Sequence, residues 1–366
     1  MSEKLSKLME KVPSKHCDGI TFVCQQLSTG GAERVFSILI NYFVNRGYPV
    51  QVILLYNDRL DYSISADAEI EFLAWKKDKK LSSFLSHIKQ LRGKIKYCNV
   101  ISFLFLAIFY TICSTRKTDI NVLVSERNDP NNDPPGLIRK VIRTLSYCFA
   151  DSVVFQTNDA KEYFPGLVRK KGFIIANPIP EYQATSILVQ KDKRIVSVCR
   201  LNKQKNIKMS IDAFKMLLMS YPDYYYDIYG EGELQNDIEE YIRINGLTDK
   251  VFLKGFSTNI HSEIGNSMMF VSSSDYEGIS NSMLEAMAIG LPVVCTDCPI
   301  GGARQIIKNE VNGILIKMRD PEGMCTAMKR IIEDEKLRKK LSLNAVKVTE
   351  EYSVDAIGLQ WESLLK

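Results

Sequence analysis

Asp275-Tyr-Glu-Gly-Ile-Ser-Asn-Ser-Met-Leu-Glu-Ala-Met-Ala-Ile-Gly-Leu-Pro-Val-Val-Cys-Thr296 decides how the rest of this chain is read. Just before it, Met268 to Ser272 is an apolar run of buried-strand length. Gly278 breaks the run, and Ser280, Asn281 and Ser282 offer side-chain oxygens to a helix N-terminus. Met283, Leu284, Met287 and Ala288 form a helical apolar face. Gly290 suits a left-handed stop, Pro292 follows it, and Pro292 to Cys295 is the next strand. Two carboxylates remain, Glu277 before the helix and Glu285 on it. They bracket a helix start whose first N–H groups are unpaired and favour an anion. Ser282-x-x-Glu285 also fits a capping box, which would give Glu285 a purely local role.

Outward from this stretch, strand and helix alternate along the whole chain. Toward the N-terminus the pattern predicts strands at Ile20–Cys24, Pro49–Leu55, Ile70–Leu73, Val100–Phe103, Asn121–Val124, Ser152–Phe155 and Gly172–Ala176. Helical spacing falls between them, at Ala32–Asn45, Leu81–Arg92, Leu104–Thr115 and Leu137–Phe149. Asn177-Pro178-Ile179-Pro180 punctuates the chain, and Glu181–Lys193 reads as a polar linker. The alternation restarts at Ile195–Cys199 and runs through Ile207–Met219, Tyr225–Tyr229, Glu233–Asn245 and Val251–Leu253. Beyond the central stretch come a strand at Ile314–Ile316 and three closing helices from Pro321, Glu335 and Val354. Such alternation implies parallel sheets covered by helices on both faces. The expectation is α/β, with two Rossmann-like domains over 1–180 and 181–366.

With 366 residues, 45% hydrophobic and 25% charged, the chain is ordinary for a globular protein with two cores. Its net charge is +5, and residues 1–172 hold about eight more basic than acidic side chains. Nine scattered cysteines point to a reducing compartment, and the cytoplasm is expected. Cys295-x-x-Cys298 lacks a second pair or a nearby His, and the three histidines, His16, His87 and His261, form no ligand cluster. No metal or cofactor is expected. Met1 to Lys15 is charged and lacks the apolar core of a secretory signal. Val100 to Cys113 is too short to span a bilayer.

Three further stretches carry candidate chemistry. Ser28-Thr29-Gly30-Gly31-Ala32-Glu33-Arg34-Val35 links the first strand to its helix; two glycines let backbone N–H groups approach a phosphate, or simply make a tight turn. It has neither the Gly-x-Gly-x-x-Gly spacing of dinucleotide sites nor a P-loop ending, which argues against a dehydrogenase. Arg200 and Lys205 leave the carboxyl end of a strand, where doubly wound sheets bind ligands, and two cations there suit an anionic one. A solvated basic loop would look the same. Gly230-Glu231-Gly232-Glu233 and Leu253-Lys254-Gly255-Phe256 end two neighbouring strands as tight turns.

Glu277, seven residues, Glu285, then Ala-Met-Ala-x-Gly-x-Pro-Val-Val resembles the signature of the family 4 retaining glycosyltransferases. Gly-Gly-Ala-Glu-Arg-Val is similar to that family's first-domain loop. The resemblance implies the GT-B fold: two Rossmann-like domains facing a central cleft, the last helix returning to the first. An N-terminal acceptor-binding domain and a C-terminal nucleotide-sugar domain would result.

It further implies that Arg200 and Lys205 neutralise the donor diphosphate without a metal, that Glu277 binds the donor sugar and that Glu285 binds the ribose. Gly30, Gly31, Gly230, Gly232, Phe256, Gly278, Ile279, Ser280 and Asn281 would complete the donor site. No Asp-x-Asp, the metal motif of the other common glycosyltransferase fold, occurs. Ser125-Glu126-Arg127 stands on the acceptor side, and a similar Ser-Glu-Arg-x-x-Pro string occurs in members that build bacterial surface glycans on lipid carriers. No His stands near it, where many members have one, and no His lies in any cleft motif. Cys298-Pro-Ile-Gly-Gly-Ala-Arg304 is similar to a loop of hexosamine-transferring relatives.

The expected function is retaining transfer of a hexose or N-acetylhexosamine. The donor is a nucleotide diphosphate sugar, UDP foremost, and the acceptor a lipid-linked glycan or saccharide of a capsule, O-antigen or exopolysaccharide. The alternatives are a UDP-sugar 2-epimerase of the same fold and a non-catalytic nucleotide-sugar binding protein. Nucleic acid is not an expected partner. Peripheral docking on an anionic inner membrane surface is the reading of Lys76, Lys77, Lys79 and Lys80 followed by the apolar face of Leu81–Arg92. The other reading of that helix is a stripe packed on the sheet.

Overall fold

The computed structural model describes residues 19–28, 30–56, 60–75, 81–181 and 192–366. They divide into two compact units. One holds residues up to Pro180 together with Tyr352–Lys366, the other Glu181–Glu351.

The first unit is a seven-stranded parallel sheet: β1 (Ile20–Cys24), β2 (Val50–Leu54), β3 (Glu69–Phe72), β4 (Asn99–Phe103), β5 (Asn121–Ser125), β6 (Ser152–Phe155) and β7 (Gly172–Ile174), in the order β3-β2-β1-β4-β5-β6-β7. Its central strands are buried end to end and mostly apolar; their polar side chains pair with one another, Thr21 Oγ1 donating to Gln51 Oε1 (2.9 Å) and Asn121 Nδ2 to Asn99 Oδ1 (2.9 Å). The helix Gly31–Asn45 turns Val35, Phe36, Leu39, Ile40 and Phe43 into the core. The rings of Phe22 and Phe36 meet edge to face at 5.2 Å.

The last helix, Val354–Glu362, belongs to this unit. Trp361 is fully buried 5.5 Å from the Phe103 ring. Glu362 accepts hydrogen bonds from Tyr42 Oη (3.0 Å) and Tyr48 Oη (2.8 Å). Gly358 is required there, because a Cβ would fall 2.5 Å from the Tyr42 ring.

The second unit is a six-stranded parallel sheet: β8 (Asp192–Val198), β9 (Tyr225–Tyr229), β10 (Val251–Gly255), β11 (Ser267–Ser272), β12 (Val293–Thr296) and β13 (Ile314–Ile316), in the order β10-β9-β8-β11-β12-β13. Helices Ile207–Leu218 and Pro321–Glu333 pack on it through Phe214, Leu217, Met324 and Met328. In each sheet the order reverses once, between β1 and β4 and between β8 and β11. The carboxyl ends flanking such a reversal open a crevice, the usual ligand position in doubly wound sheets.

The long elements match their expected spans within a few residues. The short helices Asn158–Glu162, Gly166–Arg169, Ile260–Ile264, Gly302–Ile306 and Val348–Glu351 fall where the sequence reads as loop. Four or five residues are too few to display a period. The lysines at 76, 77, 79 and 80 lie outside the described residues. In the helix Leu81–Lys94, Leu91 is buried and Phe84 stacks on Phe109 at 5.7 Å, so much of its apolar stripe faces the protein; Leu85 is 60% exposed. No helix among the described residues is long and apolar enough to cross a membrane.

Candidate active site

The site of the second unit forms on the carboxyl ends of β8 and β11, at the reversal. Past β8 the chain reaches the exposed Arg200, makes a single 3-10 turn at Lys203–Lys205, and enters the helix Ile207–Leu218 through Asn206 in the left-handed region (φ 44°, ψ 47°). Past β11 it runs through Ser273 to Glu277. Four hydrogen bonds stitch the two loops together. Asp275 N donates to Gln204 O (2.8 Å), Gln204 Nε2 to Tyr276 O (2.8 Å), Ser273 Oγ to Lys205 O (2.9 Å) and Asn206 Nδ2 to Asp275 Oδ1 (3.1 Å).

That stitching delivers Lys205 Nζ onto Glu277 Oε1 as an ion pair, with side chains only 13% and 17% exposed. Ser274 Oγ donates to the other oxygen, Glu277 Oε2, at 2.8 Å. Burial is the largest single influence and works against the Lys205 charge, but the charge and hydrogen bond of Glu277, together with smaller neighbouring influences, leave the ammonium above its ordinary range. Lys205 is therefore a fixed cation at neutral pH.

Ser280 caps the helix Asn281–Ala288 by accepting from Met283 N (3.4 Å), and Gly290 ends it at φ 85°. Because the cap is Ser280 rather than Ser282, Glu285 is not the partner of a Ser282 capping box. It is 7% exposed and meets His261 Nε2 through Oε2 at 3.1 Å. No histidine lies within the motif stretches themselves, yet the fold brings His261 onto one of their carboxylates. His261 comes from the short helix Ile260–Ile264, before β11. Its sequence signal was too brief to place, and only the sheet order brings it to Glu285.

The glycine loops pack where no side chain fits. A Cβ on Gly230 would lie 1.9 Å from Cys199 O, and one on Gly232 2.2 Å from Leu201 O. The turn after β9 thus lies directly on the loop carrying Arg200. Gly230 N also donates to Gly255 O (2.8 Å), drawing in the turn after β10, where Phe256 is 63% exposed. A Cβ on Gly302 would lie 1.8 Å from Gly278 O, so the loop from Cys298 packs against Gly278 and Ile279. Burial, reinforced by Glu277, pushes the Cys298 thiol up to about 12 and raises Cys295 as well, so both stay protonated. No metal-binding group of His, Cys, Asp and Glu occurs among the described residues.

In the first unit, Gly30 and Gly31 stand past β1 at the other reversal, where Gly31 opens its helix. Thr29 lies outside the described residues. Ser125 and Glu126 are turned inward. Ser125 Oγ donates to Val154 O (3.1 Å). Glu126 Oε2 receives Tyr147 Oη (3.2 Å) and pairs with Arg143 Nη1 (3.2 Å). Burial outweighs Arg143 and pushes the Glu126 carboxyl up to about 7. Arg127 reaches Asn177 Oδ1, lies 5.0 Å over the Phe103 ring, and burial lowers its guanidinium to about 9.

The two-sheet architecture is that of the GT-B glycosyltransferases. It superposes on the crystal structure of Anabaena HepE in complex with UDP with a TM-score of 0.77, over 94% of this chain and 98% of that one, at 17% identity. A family model described as glycosyl transferases group 1 matches residues 179–348. The chain is 30% identical over 338 residues, 86% of its length and 90% of the relative's, to the N-acetylgalactosamine-N,N'-diacetylbacillosaminyl-diphospho-undecaprenol 4-alpha-N-acetylgalactosaminyltransferase of Campylobacter jejuni. It is 22% identical over 94% of its length, and 98% of the relative's, to the GalNAc-alpha-(1->4)-GalNAc-alpha-(1->3)-diNAcBac-PP-undecaprenol alpha-1,4-N-acetyl-D-galactosaminyltransferase of the same organism. This chain belongs to the group 1 glycosyl transferases, and it is a glycosyltransferase.

Proposed function

We propose that the protein transfers a hexose or N-acetylhexosamine, with retention and without a metal, from a UDP-sugar to a lipid-linked or saccharide acceptor of a bacterial surface polysaccharide. The observation that carries this reading is the buried Lys205–Glu277 pair on the reversal of the second sheet. It places a cation suited to a departing diphosphate beside a carboxylate suited to sugar hydroxyls. Arg200, exposed past β8, is the second diphosphate cation. Glu285, steadied by His261, takes the ribose hydroxyls. The backbone from Gly278 to Asn281 meets the donor, and the turns at Gly230, Gly232 and Phe256 flank the base.

The acceptor class follows the two Campylobacter relatives, whose names specify undecaprenol-linked saccharides. UDP follows HepE, crystallised with it. For the acceptor we assign the loop that begins at Ser125. Glu126 and Arg127 hold its shape from inside, through Arg143 and Asn177.

Retention is read as same-face attack. The bond from the anomeric carbon to the diphosphate oxygen breaks, and the acceptor oxygen bonds to that carbon on the same face. The acceptor's proton leaves to the departing UDP. The test is UDP release from a panel of UDP-sugars with a polyprenyl-diphosphate saccharide as acceptor, followed by NMR of the product's anomeric configuration. Transfer that persists in EDTA supports the reading. An inverted product, or activity abolished by EDTA and restored by Mg²⁺ or Mn²⁺, overturns the corresponding part. Conversion of the UDP-sugar to its 2-epimer without transfer identifies the epimerase.

A further inference from the structure

The helix Leu137–Phe149 is built with its apolar side outward. Leu137 and Ile138 are each 77% exposed, Val141 50%, Leu145 53% and Phe149 53%. At the helical pitch these five side chains fall within one arc of about 120°. The inward side carries Arg143, Ser146 and Tyr147. Arg143 fixes that orientation. It pairs with Glu126 and donates to Pro130 O (3.1 Å) and Asp133 O inside the unit. Rolling the helix to hide its leucines would pull a paired guanidinium out of its buried partners, so the apolar stripe stays at the surface.

The charge around the stripe has one dominant sign. The helix bears Arg139, Lys140 and Arg143 and no acid. Arg139 and Lys140 emerge on opposite edges of the apolar arc. The Arg116 guanidinium lies 4.1 Å over the Phe149 ring with Lys117 exposed beside it; Asp119 and Asp151 line the same hollow, where Lys366 Nζ stands 3.8 Å from Asp151 Oδ1 and offsets it. The helix Gly166–Arg169, which packs on this one, adds Leu167 at 59% exposure, followed by the exposed Lys170.

We propose that this face is a docking surface for an anionic lipid bilayer, with the apolar arc at the headgroup boundary and the cations on lipid phosphates. The inference goes beyond the transfer reaction and stands whichever sugar is moved. An apolar stripe edged by cations is the pattern of a helix lying in an interface. Charge complementarity decides the occupant. A second copy would set Arg139, Lys140 and Arg116 against their own kind, and five side chains fall short of the about 20–30 residues a side of a stable protein interface. The face differs from the helix Leu81–Lys94, whose stripe is largely used inside the unit.

The experiment is cosedimentation of the full chain with vesicles of phosphatidylcholine alone and of phosphatidylcholine with phosphatidylglycerol, at low and high salt. The wild type should bind the anionic vesicles, and binding should weaken with salt. Ile138→Ser/Val141→Ser should lose about tenfold or more in partition. Its melting temperature should be unchanged, because both side chains already face water. Arg116→Gln/Arg139→Gln should lose the salt-dependent part, and Leu85→Ser should bind like wild type. Wild type that stays in the supernatant at low salt, or an Ile138→Ser/Val141→Ser variant that binds as well, overturns the proposal. So does a dimer in solution that this variant turns into a monomer, which would make a second copy the occupant. UDP release from a UDP-sugar in the presence of a soluble acceptor is measured in parallel, and its absence in wild type would count against the transfer reading alone.

Discussion

Lys205 Nζ and Glu277 Oε1 meet across 72 positions of sequence, and Ser274 Oγ holds the second carboxylate oxygen at 2.8 Å. Without a donor, each charge is compensated by the other. On the proposed function, a donor diphosphate at Lys205 would exchange one anionic partner for another, with the lysine held in place beforehand by Glu277. On that function, the same pairing would tie stability to catalysis in one place.

Removing one member strands the other. Lys205→Met should lower stability by about 3 kcal/mol, because Glu277 keeps its burial and loses its cation. It should also lower kcat/KM by about tenfold to several hundredfold. Lys205→Met/Glu277→Gln should recover much of the stability and none of the activity. Denaturant melts and initial rates on wild type, Lys205→Met, Glu277→Gln and the double variant measure this cycle. Strict additivity of the stability losses would show that the pair does not couple.

The two glutamates should separate kinetically. Glu285→Gln should weaken UDP binding by about tenfold, since the proposed ribose contacts would be made before and during reaction. Glu277→Gln should mainly lower kcat. His261→Ala should act like a milder Glu285→Gln, with His261→Gln restoring part of the affinity through its amide donor. Titration calorimetry with UDP is the check, and equal loss of UDP affinity in Glu277→Gln and Glu285→Gln would contradict the roles given them.

Glu126 should make stability fall as pH rises. Its folded carboxyl is held up at about 7, above the 4.5 of the free group, chiefly by burial. Between those values the folded state binds more protons than the unfolded one. The contribution is thus fully present below about 4.5 and lost as pH climbs through about 7. The span corresponds to roughly 3 kcal/mol. Glu126→Gln, neutral throughout, should gain on the wild type between pH 5 and pH 8, both values set by the window above. A wild type that gains on the variant over that range would reverse the sign and refute the burial argument.

Gly302→Ala should be costly although alanine is small. Its Cβ would sit 1.8 Å from Gly278 O, and the neighbour is backbone that cannot swing away. A loss of about 1–3 kcal/mol is expected, with weaker UDP binding because the Gly278–Asn281 segment must shift. Gly166→Ala, whose nearest neighbour is the end of the Arg169 side chain at 3.9 Å, is the control and should be neutral within about 0.5 kcal/mol. Thermal melts and UDP titration on both variants settle the comparison.

The sequence by itself determined the alternation of strand and helix, the break near Asn177–Pro180, and the candidacy of Arg200, Lys205, Glu277 and Glu285. Those features are local: apolar runs, helical periods, glycine and proline punctuation, and motif spacing all lie within windows of about twenty residues. Sheet order, by contrast, is a choice among long-range pairings that no local window contains. Only the tertiary structure set β8 beside β11 and so closed Lys205 onto Glu277. Only it carried His261, from a five-residue helix with no readable period, to Glu285. The helix Leu137–Phe149 shows the same limit from the other side. Its amphipathic period was plain, but a period does not say which face turns inward. That was decided by Glu126 on a separate strand end, whose buried carboxyl draws Arg143 into the core and leaves the leucines to the surface.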